Sequence, residues 1–480
     1  LDWNRAHTAV EAYLLMNLME GLVTYEGTSS VAPALAESWK ISPDGKTYTF
    51  KIRKNVQWSD GVLLKAEDFV YSWRRLLSPL TAASYAYLLY DIEGAESFNN
   101  GKLLDFSKVG IKALDSQTLE VKLAKPVAHW IYIPGFWVTF PLRKDVVNKH
   151  GGAWETPGRM VSLGPYSLVS HDVDSKYVLK ANPTYYRNRG NVDQIVALIV
   201  QDDQQALNLY EAGKLDFLTD LATVDLRKLK GRSDLKTYPH LKTGFLEFET
   251  DRFPVSNVKV RRAIAMAIDK DKLTASLFGG QTVATSFVPP PMMSYSKSIG
   301  LSFDPKKAKA ELKSSGIDLS ASIKLEYISQ KWDKAASIAQ FIQAELKKNL
   351  GIEVTIQSFD NKSYRNQLDL HVFSVFDYTW TADYPDPDNF LSVFQSSSGN
   401  SRTTWKSARF DQLVQDARQS LKAAEREKTY LTLQKILLED EAVIVPLYYE
   451  PNLALVRSRA KNFELNPLDY LYLRKVEIVP

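Results

Sequence analysis

Cysteine is absent from this 480-residue chain. Disulfides, thiolate nucleophiles and cysteine-held metals are thereby excluded, while the compartment stays open, since many exported bacterial proteins also lack cysteine. Histidine is scarce. His7, His129, His150, His171, His240 and His371 include no pair at the i, i+4 spacing of a zinc-binding helix, and no metal or other cofactor is expected. An excess of one charge is missing too: 60 basic and 56 acidic side chains are intermixed for a net +4, with no basic tract, which argues against nucleic acid as a partner. The most apolar stretch, 127–142, is broken by His129, Pro134, Gly135 and Pro141 and is too short to span a bilayer. Leu1-Asp-Trp-Asn-Arg5 lacks the basic and apolar regions of a signal peptide, so a signal has been removed or the chain is cytoplasmic.

Enzyme templates are lacking as well. No Gly-x-Ser-x-Gly elbow occurs, no dinucleotide fingerprint opens a helix, and Gly45-Lys-Thr47 has no glycine five residues before it. These absences predict a protein that is not an enzyme. Two carboxylates converging from distant positions would escape such templates, which leaves a carboxylate-dependent hydrolase as an alternative.

What is present fits a soluble globular chain of two or three domains, 45% hydrophobic and 24% charged. Aromatic residues are abundant, with 24 Tyr and 10 Trp, and such side chains line ligand pockets as well as cores. Apolar spacing predicts a helix over 10–22. Ser42-Pro-Asp-Gly45 between alternating segments predicts a hairpin, and 66–77 an amphipathic helix with Phe69, Trp73 and Leu76 inward. Paired strands are expected within 110–123 and at 164–169 with 177–180, and 195–200 reads as a buried strand. From 202 onward helices and strands alternate, which argues for α/β organisation. This half includes one long helix over 257–277, a helix after the Asp304 cap, a helix over 333–350 and a short strand over 371–376.

After that strand comes Trp380-Thr-Ala-Asp-Tyr-Pro-Asp-Pro-Asp-Asn-Phe390. A carboxylate just past a strand end and beside a tryptophan is placed to meet a cation in a cleft. Aspartate and proline also favour turns and helix caps on their own account, so local chemistry leaves both readings open for Asp383, Asp386 and Asp388.

Several stretches together resemble the bacterial peptide- and nickel-type extracellular solute-binding proteins, the receptors of ABC importers. The most specific runs from Leu35-Ala-Glu-Ser-Trp39 through Trp58-Ser-Asp-Gly61 to Asp68-Phe-Val-Tyr-Ser-Trp73. Gly164-Pro-Tyr166, Asn182-Pro-Thr-Tyr-Tyr186, Gly213-Lys-Leu-Asp216, Asn257-Val-Lys-Val-Arg-Arg-Ala-Ile264 and Ala382-Asp-Tyr-Pro-Asp-Pro-Asp-Asn-Phe-Leu391 follow in the family's order. Against that pattern the chain starts after the first strand, which predicts a longer mature protein. The resemblance implies an α/β periplasmic-binding-protein clamshell of two lobes with an extra inserted mixed domain. One lobe is expected from 1–20, 145–241 and 453–480, the inserted domain from 21–144 and the other lobe from 242–452, with crossings near Lys242 and Asn452 acting as a hinge. It implies a monomer that captures short peptides and delivers them to an inner-membrane ABC permease. The location would be the periplasm, or the cell surface as a lipoprotein if the source is Gram-positive. A same-fold receptor for a non-peptide or signalling ligand is the alternative, because fold alone does not set the ligand.

The implied site follows residue by residue. Asp383 after Trp380 matches the family's anchor for the peptide ammonium, Tyr85 its cleft tyrosine and Glu247 its strand glutamate. Core packing for Tyr85 and a rim salt bridge for Glu247 are the plainer readings. Thr379, Thr381, His7, Thr8 and Ala9 are expected to meet the ligand, whose main chain such a site holds by backbone hydrogen bonds. Asp377 stands where the enterobacterial oligopeptide receptor has an arginine for the peptide's carboxylate, and Glu249 and Glu450 replace an asparagine and a tyrosine. If these acids face the cleft, its potential is negative and favours a basic ligand, or one long enough to hold its carboxylate elsewhere. Pairing with lysines or facing solvent is the other outcome.

Overall fold

The computed structural model describes every residue except 220, 222–225, 278 and 319–322. Alternating apolar residues and tight turns build three sheet systems that surround the site. The first is a four-stranded antiparallel sheet, Ala36–Ile41, Thr47–Ile52, Thr118–Lys122 and Ile111–Asp115 in spatial order. The helix Ala66–Leu77 covers it with Phe69, Trp73, Leu76 and Leu77, all fully buried, while Arg74 and Arg75 close its last turn. Truncating a core anchor such as Trp73 to alanine is worth about 3–5 kcal/mol.

The second system is a mixed six-stranded sheet in the order Thr282–Val283, Ile444–Tyr449, Lys242–Phe248, Val375–Thr381, Lys324–Gln330 and Glu353–Phe359. Its first four strands pair antiparallel and its last three parallel. Side chains alternate across a strand, so Leu246 and Phe248 point to one face. There they pack on Val260, Ile264, Ile338 and Ile342 of the helices Val258–Ala267 and Asp333–Leu350. Phe245 points to the other face, among Phe287, Tyr378 and Phe394.

The third system joins distant parts of the chain. Asn452–Val456 lies between Phe217–Leu218 and Leu235–Tyr238. Two strand ends leave this sheet for the six-stranded one side by side, at 239–241 and 450–451, and the Glu450 N–H donates to the Lys242 carbonyl at 3.2 Å. The result is an α/β fold of two lobes linked by adjacent crossings. No helix among the described residues is long and apolar enough to cross a membrane.

Three local expectations need correction. The helix expected over 257–277 is two, Val258–Ala267 and Lys270–Leu277, because the Asp269 side chain accepts from the Lys272 N–H at 3.1 Å and starts a new helix. The strand expected as buried over 195–200 is Gln194–Leu198 at a sheet edge, with Val196 47% exposed. The strand expected over 371–376 is shifted. A helix, Asn361–Leu370, ends with His371 in the left-handed region (φ 51°), and the strand runs over Val375–Thr381, so Trp380 belongs to it.

Candidate functional site

Strand register decides which of the expected site residues meet. Trp380, Tyr378 and Phe376 stand opposite Thr243, Phe245 and Glu247, while Thr381, Thr379 and Asp377 stand opposite Lys242, Gly244 and Leu246. The two sets occupy opposite faces of the sheet. Backbone groups alternate as well. The Ala382 N–H donates to the Leu241 carbonyl at 2.9 Å, whereas the Asp377 carbonyl accepts from the Tyr364 hydroxyl at 2.5 Å on the other edge. By this alternation Thr379 and Thr381 turn their N–H and C=O away from the strand Lys242–Phe248. On that side the neighbouring strand Lys324–Gln330 pairs with Val375 and Phe376 only. The C-terminal half of Val375–Thr381 is therefore an open edge, ready to pair with an extended chain.

Asp383 lies just past this edge and is half-buried. Asn389 holds the loop, its Oδ1 accepting from the Trp380 indole at 3.1 Å and from the Asp383 N–H at 3.0 Å. The Tyr470 hydroxyl donates to the Asp383 carbonyl at 3.1 Å. Around the carboxylate stand Tyr25, Tyr85, Tyr87 and Tyr470, and none of the described residues makes an ion pair with it. Burial pushes its carboxyl up to about 6, with Asn389 pulling the other way. Burial, reinforced by Asp383, pushes Tyr85 and Tyr87 upward, so they stay neutral. Tyr85 also packs on Phe136 and Trp137, at 5.1 and 5.8 Å between ring centroids, so core contact and closeness to Asp383 hold together.

The neighbouring aspartates behave differently. Asp388, fully buried, accepts from Arg418 Nε and Nη2 at 2.7 and 2.9 Å and from the Tyr384 hydroxyl at 2.8 Å, with His129 Nε2 3.5 Å away. Against its burial, Arg418 and His129 hold it well below the usual carboxylate range. Asp386 pairs with Arg426 Nη2 at 2.7 and 2.8 Å while its Oδ1 also receives the Asp388 N–H. The turn-and-cap reading of these two was incomplete, because each is also a buried ion pair.

The other expected acids divide. Glu450 forms ion pairs with Lys334 and, at 3.3 Å, with Lys242; burial opposes its charge, but the lysines hold its carboxyl at about 2. Lys334 also lies over the Trp332 and Tyr448 rings, at 4.9 and 5.7 Å. Asp377 is on the same face. Burial pushes its carboxyl up to about 6, and hydrogen bonds from Ser329 and Tyr327, the latter at 3.1 Å, oppose the rise. Glu249 is not brought to this group: it is buried and accepts from the Thr404 N–H at 2.8 Å and from His371 Nδ1 at 2.6 Å. Glu247, 2% exposed, faces Phe376; burial pushes its carboxyl well up and its Oε1 has no partner. It lies four residues along the strand from the partner of Trp380, about 14 Å away at strand rise, so it does not join Asp383. The expected negative cleft is thus reduced to a balanced group, with lysines beside Glu450 and Asp377.

At the N-terminus Thr8 caps the helix Ala9–Leu18 in a capping box with Glu11, and the His7 N–H also donates to Glu11 at 3.1 Å. Ala9 lines a cavity of about 480 Å3 together with Lys242, Lys334, Glu450 and His240. Sequence reasoning missed Lys242, Lys334, His240, Asn389 and the tyrosines at 25, 87 and 470. Only Asn389, inside the aspartate loop, carried a local signal. No group of three metal-ligating side chains occurs among the described residues.

Two lobes, two adjacent crossings and, at their junction, a carboxylate with no counter-ion among the described residues define a solute-binding clamshell. The model of bacterial extracellular solute-binding proteins, family 5 (middle), matches residues 30–402, and the chain belongs to that family. Over its whole length it is 32% identical to the probable deoxycholate-binding periplasmic protein YgiS of Escherichia coli, covering 91% of that protein. It is 30% identical, again over its whole length, to the periplasmic oligopeptide-binding protein OppA of Salmonella typhimurium, covering 90% of it. The solved structure of the Escherichia coli murein tripeptide binding protein MppA superposes with a TM-score of 0.83 at 28% identity, covering 100% of this chain and 96% of that one.

Proposed function

We propose that this protein captures a short peptide between its lobes and hands it to the inner-membrane permease of an ABC importer. In this reading 1–20, 145–241 and 453–480 form one lobe, 21–144 the inserted domain and 242–452 the opposing lobe. The protein works without catalysis, in the periplasm or on a lipid anchor at the cell surface.

The observation that carries the reading is Asp383, a carboxylate in a tyrosine-lined recess with no cation among the described residues paired to it. A peptide's ammonium supplies that charge, with Trp380 and Tyr85 as walls. The open edge at Thr379 and Thr381 then pairs with the peptide backbone as an added strand. The names of OppA and MppA, both peptide binders, support the same class. The name of YgiS points to a bile salt instead. An anionic steroid would meet the unpaired Asp383, which argues for the peptide.

Calorimetry with trialanine, its N-acetyl derivative and deoxycholate separates these readings. Trialanine is expected to bind, and acetylation to cost about 2–5 kcal/mol, a loss of roughly 30-fold or more. Binding of deoxycholate without trialanine would overturn the proposal.

A further inference from the structure

Lys242, which stands opposite Thr381 of the open edge, also lines the cavity of about 480 Å3 that lies between the first turn of Ala9–Leu18, the end of Lys270–Leu277 and the start of Asp333–Leu350. Among the described residues its charged lining balances: Lys242, Lys334 and Arg227 stand against Glu450, Asp333 and Asp469. His240 lies in its wall, and neither ring nitrogen has a hydrogen-bond partner. Burial, with Lys242 beside it, holds this imidazole neutral, down to about 3. Glu450 Oε2 faces Lys242 at 3.3 Å yet accepts no hydrogen bond.

A neutral imidazole offers one N–H donor and one lone pair. That is the complement of a peptide unit, which presents one carbonyl and one N–H. Leaving both nitrogens unpaired in a buried wall is costly unless a ligand satisfies them. A free carboxylate fits this cavity poorly. Both lysines are already engaged by Glu450, Asp377 adds a second negative charge that acts on Lys334, and an added anion would be repelled by both acids. A free ammonium would in turn meet the two lysines.

Building on the peptide reading of the site, we propose that the ligand's backbone runs through this cavity as uncharged peptide units, with His240 as a ligand contact, and that its terminal carboxylate lies beyond. Affinity then depends on the ammonium at Asp383 and on peptide length, and is indifferent to the charge at the far end.

The test is calorimetry on the full chain with alanine peptides of three to six residues, each as the free acid and as the C-terminal amide. For peptides of five and six residues, acid and amide are expected to bind within about threefold of one another. His240→Leu is expected to weaken both forms by about tenfold, the value of one buried hydrogen-bonding group, and His240→Asn to restore part of the loss. A free acid preferred at every length by about tenfold or more, with the preference lost in Lys334→Met, would overturn this inference alone. If no alanine peptide binds, the peptide reading falls and takes this inference with it.

Discussion

Asp383 stands among tyrosine rings with none of the described cations paired to it, whereas Glu450 is shared by Lys242 and Lys334. Both carboxylates are withdrawn from water, and desolvation pushes both toward the neutral form. They nevertheless end far apart, Asp383 at about 6 and Glu450 at about 2. The difference is the partner. A buried charge that the protein itself balances fastens structure, here the two crossings between lobes, where Lys242 and Glu450 also share a backbone hydrogen bond. A buried charge left unbalanced stores a demand that a ligand can meet. The same contrast recurs within one loop, where Asp386 and Asp388 each hold an arginine and Asp383 does not.

The comparison can be broken within that loop first. Asp388→Ala strands Arg418 and is expected to cost about 3–5 kcal/mol of stability in chemical denaturation. Asp383→Asn should leave the denaturation midpoint unchanged or slightly raised while reducing peptide affinity by roughly 30-fold or more. Equal loss of stability in the two variants would erase the distinction between them.

Glu450→Gln leaves two lysines uncompensated and is expected to cost about 2 kcal/mol, below the fully buried case because the group is partly exposed. The folded carboxyl at about 2 lies below its ordinary 4.5, so its stabilisation is complete above about pH 4.5 and is lost as pH falls from there toward 2. The variant should show a flatter acid limb in that window. Asp383 has the opposite sign. Raised to about 6 when free and returned to the ordinary range by a bound ammonium, it must release a proton on binding at lower pH. Peptide Kd is therefore expected to rise by up to about tenfold per unit as pH falls below 6, and Asp383→Asn should remove that slope. The smallest effect is at the strand edge. Thr379→Val keeps the backbone N–H and C=O, and should change affinity by less than about threefold.

Much of the scaffold could be read before any coordinates. The hairpin across Ser42–Gly45 and the helices Ala66–Leu77 and Asp333–Leu350 follow from apolar period and from turn or terminator residues, and they are where the spacing puts them. The edge strand misread as buried shows the limit: Ile195, Val196 and Leu198 are β-forming residues whether or not anything covers them. The shifted strand is more instructive. Phe376, Tyr378 and Trp380 alternate with Asp377, Thr379 and Thr381, a period-two strand signal that the more apolar run 371–376 just before it obscured. Asp383 was legible as a candidate from its loop, and its weight came from the family's order of motifs. Of its surroundings only Tyr85 was legible, through the family resemblance; Tyr25 and Tyr470 were not, since they come from opposite ends of the chain.

The sequence by itself determined most of the elements, the family and the presence of a carboxylate at the end of a strand. These depend on period, turn chemistry and motif order, which are properties of neighbouring residues or of their succession. The tertiary structure alone decided which acids are paired and which are left open. Glu249 went to Thr404 and His371, Glu450 to two lysines, Asp388 to Arg418, and Asp383 to none of the described cations. Ion pairing and desolvation are set by what folding brings within a few ångströms, and residues far apart in the chain supply it.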